Sequence, residues 1–117
     1  MIKNKAGVWG EIYTARYLRD NKYRIIYSEF RSRFGEIDLI AEKDGVLCFV
    51  EVKARNKNTP VRPMEAVDER KQERISLTAR SFISYIKYEG ETEFDVSEVY
   101  LNDDNSLDRI DYMKKAF

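Results

Sequence analysis

The chain has 117 residues, of which 43% are hydrophobic, and its 21 Lys and Arg balance 21 Asp and Glu, with no histidine. This length predicts one domain over residues 1–117, and the lack of any stretch resembling a signal peptide or membrane span predicts a cytoplasmic protein. The absence of histidine excludes Ser-His and Cys-His hydrolases and histidine-metal nucleases, which leaves carboxylates, lysine and bound metal for any catalysis.

The first predicted element is an amphipathic helix over residues 5–20. Its apolar stripe consists of Val8, Ile12, Ala15 and Leu18 or Arg19. Glu11 falls inside this stripe, and a carboxylate on the face that a helix buries is unusual. We therefore expect Glu11 to reach a charged pocket. The alternative is that Glu11 lies at the edge of the stripe and pairs with Arg16 or with solvent.

Three strands are predicted after the helix. Residues 23–30 form the first, and the runs 36–42 and 46–54 alternate or are rich in β-branched residues. Asp44 and Gly45 separate these two runs, and Asp-Gly in such a place is a strong signal for a two-residue hairpin loop. The second and third strands are therefore predicted to be antiparallel neighbours.

The hairpin loop sets which side chains face each other. With Asp44–Gly45 as the loop, Asp38 lies directly opposite Glu51, and Glu36 lies opposite Lys53. Side chains alternate faces along a strand, so Glu51 and Lys53 share one face about 6.6 Å apart. Asp38 projects onto that same face. The hairpin thus collects two carboxylates and an ammonium group in one small area.

Two opposed carboxylates are unfavourable unless something lies between them. At about 5 Å and an effective dielectric of about 20 they repel by about 3 kcal/mol, and a divalent cation would reverse the sign. Hard oxygen ligands suit Mg²⁺, Mn²⁺ or Ca²⁺ rather than zinc. The alternative is an exposed face with hydrated carboxylates. Apolar residues on both faces at the start of strand 46–54 favour a site, since they are typical of a central strand covered by helices.

The remainder of the chain is predicted to form the elements that support the site. Residues 56–63, which contain both prolines, predict a loop that contacts substrate, residues 64–88 a long helix, and residues 94–101 and 107–113 two strands. Lys71 lies on the apolar stripe of the long helix, where it either points toward the carboxylates or extends to solvent. The order α-β-β-β-α-β-β predicts an α/β fold with a central mixed β-sheet flanked by helices.

Charge is unevenly distributed along the chain. Up to Lys87 there are 18 Lys and Arg against 12 Asp and Glu, a net of +6, and from Tyr88 onward the count is 3 against 9, a net of −6. Such polarity would let one face meet the phosphates of nucleic acid, whereas an ordinary surface of mixed charge is the alternative. The candidate nucleic-acid contacts are Arg33, Arg55, Arg62 and Lys71. The lone cysteine, Cys48, is predicted to be a small buried hydrophobe.

Two motifs carry a family resemblance. The sequence GEIDLIA at residues 35–41, followed by FVEVKAR at residues 49–55, resembles the signature of the YraN-like family of uncharacterised bacterial proteins. That family belongs to the PD-(D/E)xK, or restriction-endonuclease-like, nuclease superfamily and is similar to Holliday junction resolvases. Ile37 stands where the superfamily has its motif proline, and Glu93 where the family often has arginine. The match extends to residues 7–11, Ala15, Tyr17, Leu18, Lys71 and residues 94–96.

The resemblance implies a restriction-endonuclease-like core and a metal-dependent nuclease that hydrolyses DNA phosphodiester bonds, with branched or junction DNA favoured. It implies Asp38 and Glu51 as ligands of Mg²⁺ or Mn²⁺, Lys53 as the catalytic lysine, and Glu11 as a further catalytic and metal-binding carboxylate. The expected partner is DNA, not a membrane, and the sequence is compatible with a homodimer. Two alternatives stay open: a catalytically silent nucleic-acid-binding module of the same fold, and a protein–protein adaptor whose acidic C-terminal part binds a partner.

Overall fold

A computed structural model describes residues 5–60 and 67–117 as a sheet with two helices. In chain order the elements are α1 (Lys5–Asp20), β1 (Arg24–Ser32), β2 (Gly35–Lys43), β3 (Val46–Asn56), α2 (Glu69–Ile86), β4 (Glu91–Leu101) and β5 (Leu107–Met113). The strands lie in the order β1-β2-β3-β4-β5, and all pairs are antiparallel except β3 with β4. The predicted element order and central mixed sheet are confirmed, and the arrangement is consistent with a restriction-endonuclease-like core.

The β2–β3 hairpin has the register that its loop predicts. Lys43 pairs with Val46, and the pairing continues residue by residue to Leu39 with Val50. Asp44 and Gly45 have φ angles of 53° and 79°. A type I′ turn requires positive φ at both central residues, which Asp-Gly adopts readily. Local turn chemistry therefore determines which residue of β3 faces each residue of β2 from Leu39 to Lys43.

Strand β3 is buried on both faces, as predicted. Leu47 and Phe49 belong to a core cluster that includes Phe82 of α2, whereas Cys48 belongs to a second cluster with Leu18 of α1. Cys48 is a free, buried cysteine, as expected. Because side chains alternate along a strand, the two clusters lie on opposite faces of β3. One helix thus covers each face of the sheet at β3.

The buried face of α1 differs from the predicted stripe. Val8 and Ile12 are 45% and 40% exposed, whereas Gly10, Thr14 and Leu18 are buried. The hydroxyl groups of Thr14 and Ser97 of β4 are hydrogen-bonded at 2.8 Å. At Gly10 and Thr14 the helix lies so close to the sheet that only small residues fit, whereas Leu18, near the end of the helix, packs in the core. The predicted stripe through Val8 and Ile12 was therefore wrong.

Gly10 is the position where this close approach is tightest. A Cβ there would lie 2.6 Å from Cβ of Ala54 and 3.1 Å from Cγ1 of Val52, so the helix would have to move. We expect Gly10→Ala to lower the free energy of unfolding by about 1–3 kcal/mol, although alanine favours a helix by about 1 kcal/mol over glycine. Chemical denaturation of both proteins measures the difference. An unchanged or higher unfolding midpoint would contradict the close contact.

Helix α2 is shorter than predicted at both ends. It begins at Glu69 rather than at residue 64, because the side chain of Asp68 accepts a backbone N–H of the first turn and caps the helix. It ends at Ile86 because Lys87 adopts a left-handed conformation with φ of 56°. Residues 61–66, which include part of the predicted loop and helix, lie outside the described residues. Neither described helix combines the length and apolar character that crossing a bilayer requires.

Candidate functional site

Asp38 and Glu51 lie where the β2–β3 ladder ends. The last paired residues are Leu39 and Val50, one step before the predicted pair. Oδ2 of Asp38 accepts the backbone N–H of Val52 at 2.8 Å, so this carboxylate takes the place of a main-chain acceptor. Asp38 is 8% exposed and Glu51 is 4% exposed. The end of the hairpin therefore holds two nearly buried carboxylates.

Both carboxylates line a cavity of about 580 Å³ between the hairpin and α2. Lys53 of β3 also lines this cavity, as the hairpin register predicts. Lys71 and Arg74 of α2 line it as well, and so do Arg31 of β1 and Glu36 of β2. The structure thus brings together Asp38, Glu51, Lys53 and Lys71.

Lys71 points toward the carboxylates rather than to solvent. Its Nζ lies 3.5 Å from Oε2 of Glu51. The other carboxylate oxygen of Glu51, Oε1, is buried and has no hydrogen-bond partner within residues 5–60 and 67–117. A buried carboxylate oxygen without a donor is unfavourable unless another ligand supplies the missing interaction.

Burial in the cavity shifts the pKa values of Glu51 and Lys53 toward neutral pH. Burial raises the pKa of Glu51 to about 7, and the charge of Asp38 adds to this effect while Lys71 and Lys53 oppose it. Burial lowers the pKa of Lys53 to about 8, and the neighbouring Lys71 acts in the same direction, against Glu51 and Asp38. Such opposite shifts in adjoining groups are typical of functional sites.

The donor set fits a hard divalent cation. Mg²⁺ is usually bound through one or two carboxylates and keeps several water molecules. Asp38 and Glu51 offer two carboxylates, and no third His, Cys, Asp or Glu of the described chain joins them in a tight group. Oε1 of Glu51 is a buried oxygen that a cation would satisfy. This combination suits Mg²⁺ or Mn²⁺ better than zinc.

Glu11 lines a second cavity rather than the cavity of Asp38. It lines a second cavity of about 340 Å³ together with Ile12, Ser28 and Glu29. It is not among the residues that line the cavity of Asp38. Glu11 therefore lines a different cavity from Asp38, and its role as a catalytic and metal-binding carboxylate stays a prediction.

Two of the three predicted arginine contacts, Arg33 and Arg55, lie within the described residues. Arg33 is exposed, and its guanidinium lies 4.8 Å from the ring centroid of Phe34, which lines the cavity. Arg55 is half-buried on β3, beside Tyr100 of β4, and does not line the cavity. Arg62 lies outside the described residues. Of the two described arginines, Arg33 and Arg55, Arg33 is the one placed next to the cavity.

Two further basic residues at the cavity, Arg31 and Arg74, were not predicted as site residues from the sequence. Arg74 follows Lys71 by three residues, and residues at that spacing are neighbours on a helix, so this signal was available. Arg31 lies at the end of β1, and its Nε donates to Oε2 of Glu36 at 3.1 Å. Both arginines line the cavity.

A second acidic group was also missed. Ligand atoms of Cys48, Glu93 and Asp95 lie within 4.8 Å of one another. The Tyr112 hydroxyl donates to Oδ2 of Asp95 at 2.6 Å, and the Lys115 N–H donates to Oδ1 at 3.0 Å. Burial, with the nearby Asp95 and Glu93, raises the pKa of the Cys48 thiol to about 12, so the thiol stays neutral. This group depends on the parallel pairing of β3 with β4, which sequence spacing does not reveal.

Comparison with known proteins gives one consistent family. The uncharacterised protein family UPF0102 matches residues 10–111. A UPF0102 protein from Clostridium beijerinckii is 38% identical over 117 residues, covering 99% of this chain and 95% of the relative. One from Acetivibrio thermocellus is 39% identical over 120 residues, covering 98% and 92%. One from Syntrophomonas wolfei is 37% identical over 120 residues, covering 99% and 100%. The resemblance to the YraN-like family is confirmed, and the chain belongs to the UPF0102 family.

Proposed function

We propose that this protein is a metal-dependent nuclease that hydrolyses DNA phosphodiester bonds, with Mg²⁺ or Mn²⁺ as its cofactor. One observation carries the proposal. Two nearly buried carboxylates, Asp38 and Glu51, converge with Lys53 on one cavity, and Oε1 of Glu51 has no hydrogen-bond partner in the described chain. Burying such groups costs several kcal/mol, and a cation held by Asp38 and Glu51 would offset this cost.

Each residue has a distinct role in this proposal. Asp38 and Glu51 would hold the cation, and the N–H of Val52 orients the Asp38 carboxylate. When bound, the cation polarises a phosphate oxygen and lowers the pKa of a water molecule. Lys53 has a pKa of about 8 and is therefore mainly protonated at pH 7. Its ammonium group would position the attacking water or stabilise the charge that develops on the phosphate.

The surroundings of the cavity support a polyanionic substrate. Arg74 and Arg31 line it, the latter paired with Glu36, and Arg33 lies beside it on Phe34. The chain up to Lys87 carries a net charge of +6, from 18 Lys and Arg against 12 Asp and Glu. Basic groups around a cleft raise the local concentration of nucleic acid without reading its sequence. The family resemblance favours branched or junction DNA.

A cleavage assay over single-stranded, duplex, flapped and four-way DNA tests the proposal. We expect the wild type to cleave at least one of these forms with Mg²⁺ or Mn²⁺ and none of them in chelator. Asp38→Asn should abolish this cleavage because it removes a ligand charge from the cation. Asp44→Asn is the matched control, since it makes the same chemical change at the exposed hairpin tip, where Asn-Gly also favours a type I′ turn.

Two outcomes of this assay would count against the nuclease. Cleavage that persists in Asp38→Asn would exclude the pocket as its source. No cleavage of any DNA form with either metal, together with salt-dependent DNA binding, would favour a silent binding module of the same fold. Such a module requires the basic groups but not the buried pair of carboxylates.

A further inference from the structure

We propose that Lys71 is a resident counter-ion of the candidate metal site, which a divalent cation displaces and which then contacts a substrate phosphate. The inference rests on the proposed function, because it concerns the regulation of that same site. It predicts that cation binding and nucleic-acid binding assist each other through one side chain.

The position of Lys71 supports the first half of this proposal. Its Nζ lies 3.5 Å from Oε2 of Glu51, whose side chain is 6% exposed, whereas the side chain of Lys71 is 31% exposed. Its backbone N–H is held at 2.9 Å by Oδ1 of Asp68, the N-cap of α2. Lys71 is thus fixed at its backbone, and its long side chain reaches from the surface to a buried carboxylate.

The charges at the cavity explain why a cation would compete with Lys71. Asp38 and Glu51 carry two negative charges when ionised, and Lys53 and Lys71 carry two positive charges, while Arg31, Glu36 and Arg74 line the cavity as well. Without metal, the lysines therefore supply the positive charge beside the two carboxylates. A divalent cation on Glu51 would lie close to the Lys71 ammonium group and repel it. Lys71 can swing toward solvent because its side chain is 31% exposed.

The displaced ammonium group would have an obvious new partner. Arg74 lies one helical turn after Lys71 and lines the same cavity. The side chains of Lys71 and Arg74 would therefore both face a phosphate that enters the cavity. The metal ion would release the Lys71 ammonium group from Glu51, and the phosphate would then bind it. Binding of the metal ion would therefore favour binding of nucleic acid, and the reverse. Lys71 would therefore oppose the cation in the absence of nucleic acid and hold the phosphate in its presence.

The variant Lys71→Gln separates the two roles of Lys71, because it should raise the affinity for the metal ion and lower the affinity for DNA. Calorimetric titration with Mn²⁺ in the absence of DNA should show binding tighter by about tenfold, since one repelling charge is gone. Fluorescence anisotropy with a labelled DNA duplex in Ca²⁺ should show weaker binding, with the salt dependence reduced by about one phosphate contact. Arg80→Gln is the control: it removes the same charge from an exposed position of α2 that does not line the cavity.

A second measurement uses the wild type and does not depend on how the variant folds. Reductive methylation followed by mass spectrometry reports how accessible each lysine ammonium group is. Lys71 should become more reactive when Mn²⁺ is added, whereas exposed Lys87, at the far end of α2, should not change.

The inference is overturned if Lys71→Gln binds Mn²⁺ no more tightly than the wild type, or if the methylation of Lys71 does not respond to Mn²⁺. Weaker binding of both ligands would also overturn it, because Lys71 would then merely support the fold. The proposed function fails by a different result, namely equal Mn²⁺ binding by the wild type and Asp38→Asn. If Asp38→Asn loses Mn²⁺ binding while Lys71→Gln matches the wild type, only the role of Lys71 is wrong.

Discussion

Replacing Lys53 by alanine is expected to lower the rate of metal-dependent DNA cleavage by about 10²–10³-fold while DNA affinity changes by less than about threefold. Lys53 lies on the same face of β3 as Glu51, within the cavity, and its lowered pKa of about 8 reflects a partly dehydrated ammonium group. Such a group acts most strongly on the charge that develops in the transition state. Its loss should therefore affect turnover much more than binding.

Single-turnover cleavage and DNA binding in Ca²⁺ measure the two effects separately. Lys57→Ala is a suitable control, because Lys57 is exposed and lies just beyond the end of β3, outside the cavity. Equal cleavage rates for Lys53→Ala and the wild type would remove Lys53 from the mechanism. A parallel loss of affinity and rate would instead indicate a lysine that only binds phosphate.

Glu51→Gln is expected to stabilise the metal-free protein at and above neutral pH by about 2–3 kcal/mol. The pKa of Glu51 is raised from 4.5 to about 7, chiefly by burial. Below pH 4.5 the carboxyl group is protonated in the folded and the unfolded chain, and its contribution to stability is fully present. As pH rises through about 7 that contribution is lost, because the folded protein must then hold a buried charge.

Denaturant unfolding in chelator, from pH 4 to pH 8, measures this effect as the difference between variant and wild type. The difference should be small at pH 4, grow up to about pH 7 and then stay constant. Mg²⁺ should stabilise the wild type and have little effect on the variant, which lacks the ligand charge. Glu73→Gln, at an exposed position of α2, should show no such pH dependence. A difference that shrinks as pH rises would contradict the raised pKa.

Much of the hairpin could be predicted because its determinants are local. Asp44 and Gly45 specify the turn, and the turn sets every pair from Lys43 with Val46 to Leu39 with Val50. Alternation along β3 then places Lys53 on the same face as Glu51. No knowledge of the helices is needed for this part of the candidate site.

What could not be predicted depends on how distant elements pack. The hydrophobic pattern of α1 favoured a buried Val8, but the close approach at Gly10 turns another face toward the sheet, and no sequence period reports that distance. Glu11 consequently lines a separate cavity. Whether Lys71 points inward depends on the position of α2 over the end of the hairpin, which is likewise a tertiary property.

The hairpin register also constrains how the chain can change in length during evolution. A single-residue insertion in one strand between Leu39 and Val50 would turn Asp38 and Glu51 to opposite faces of the sheet, because the side-chain period is two. Paired insertions, one in each strand near the Asp44–Gly45 tip, would lengthen the hairpin and keep the two carboxylates together. In related chains that keep the candidate site, we therefore expect insertions in the hairpin to occur as pairs near its tip, one in each strand. Other insertions should lie outside the hairpin.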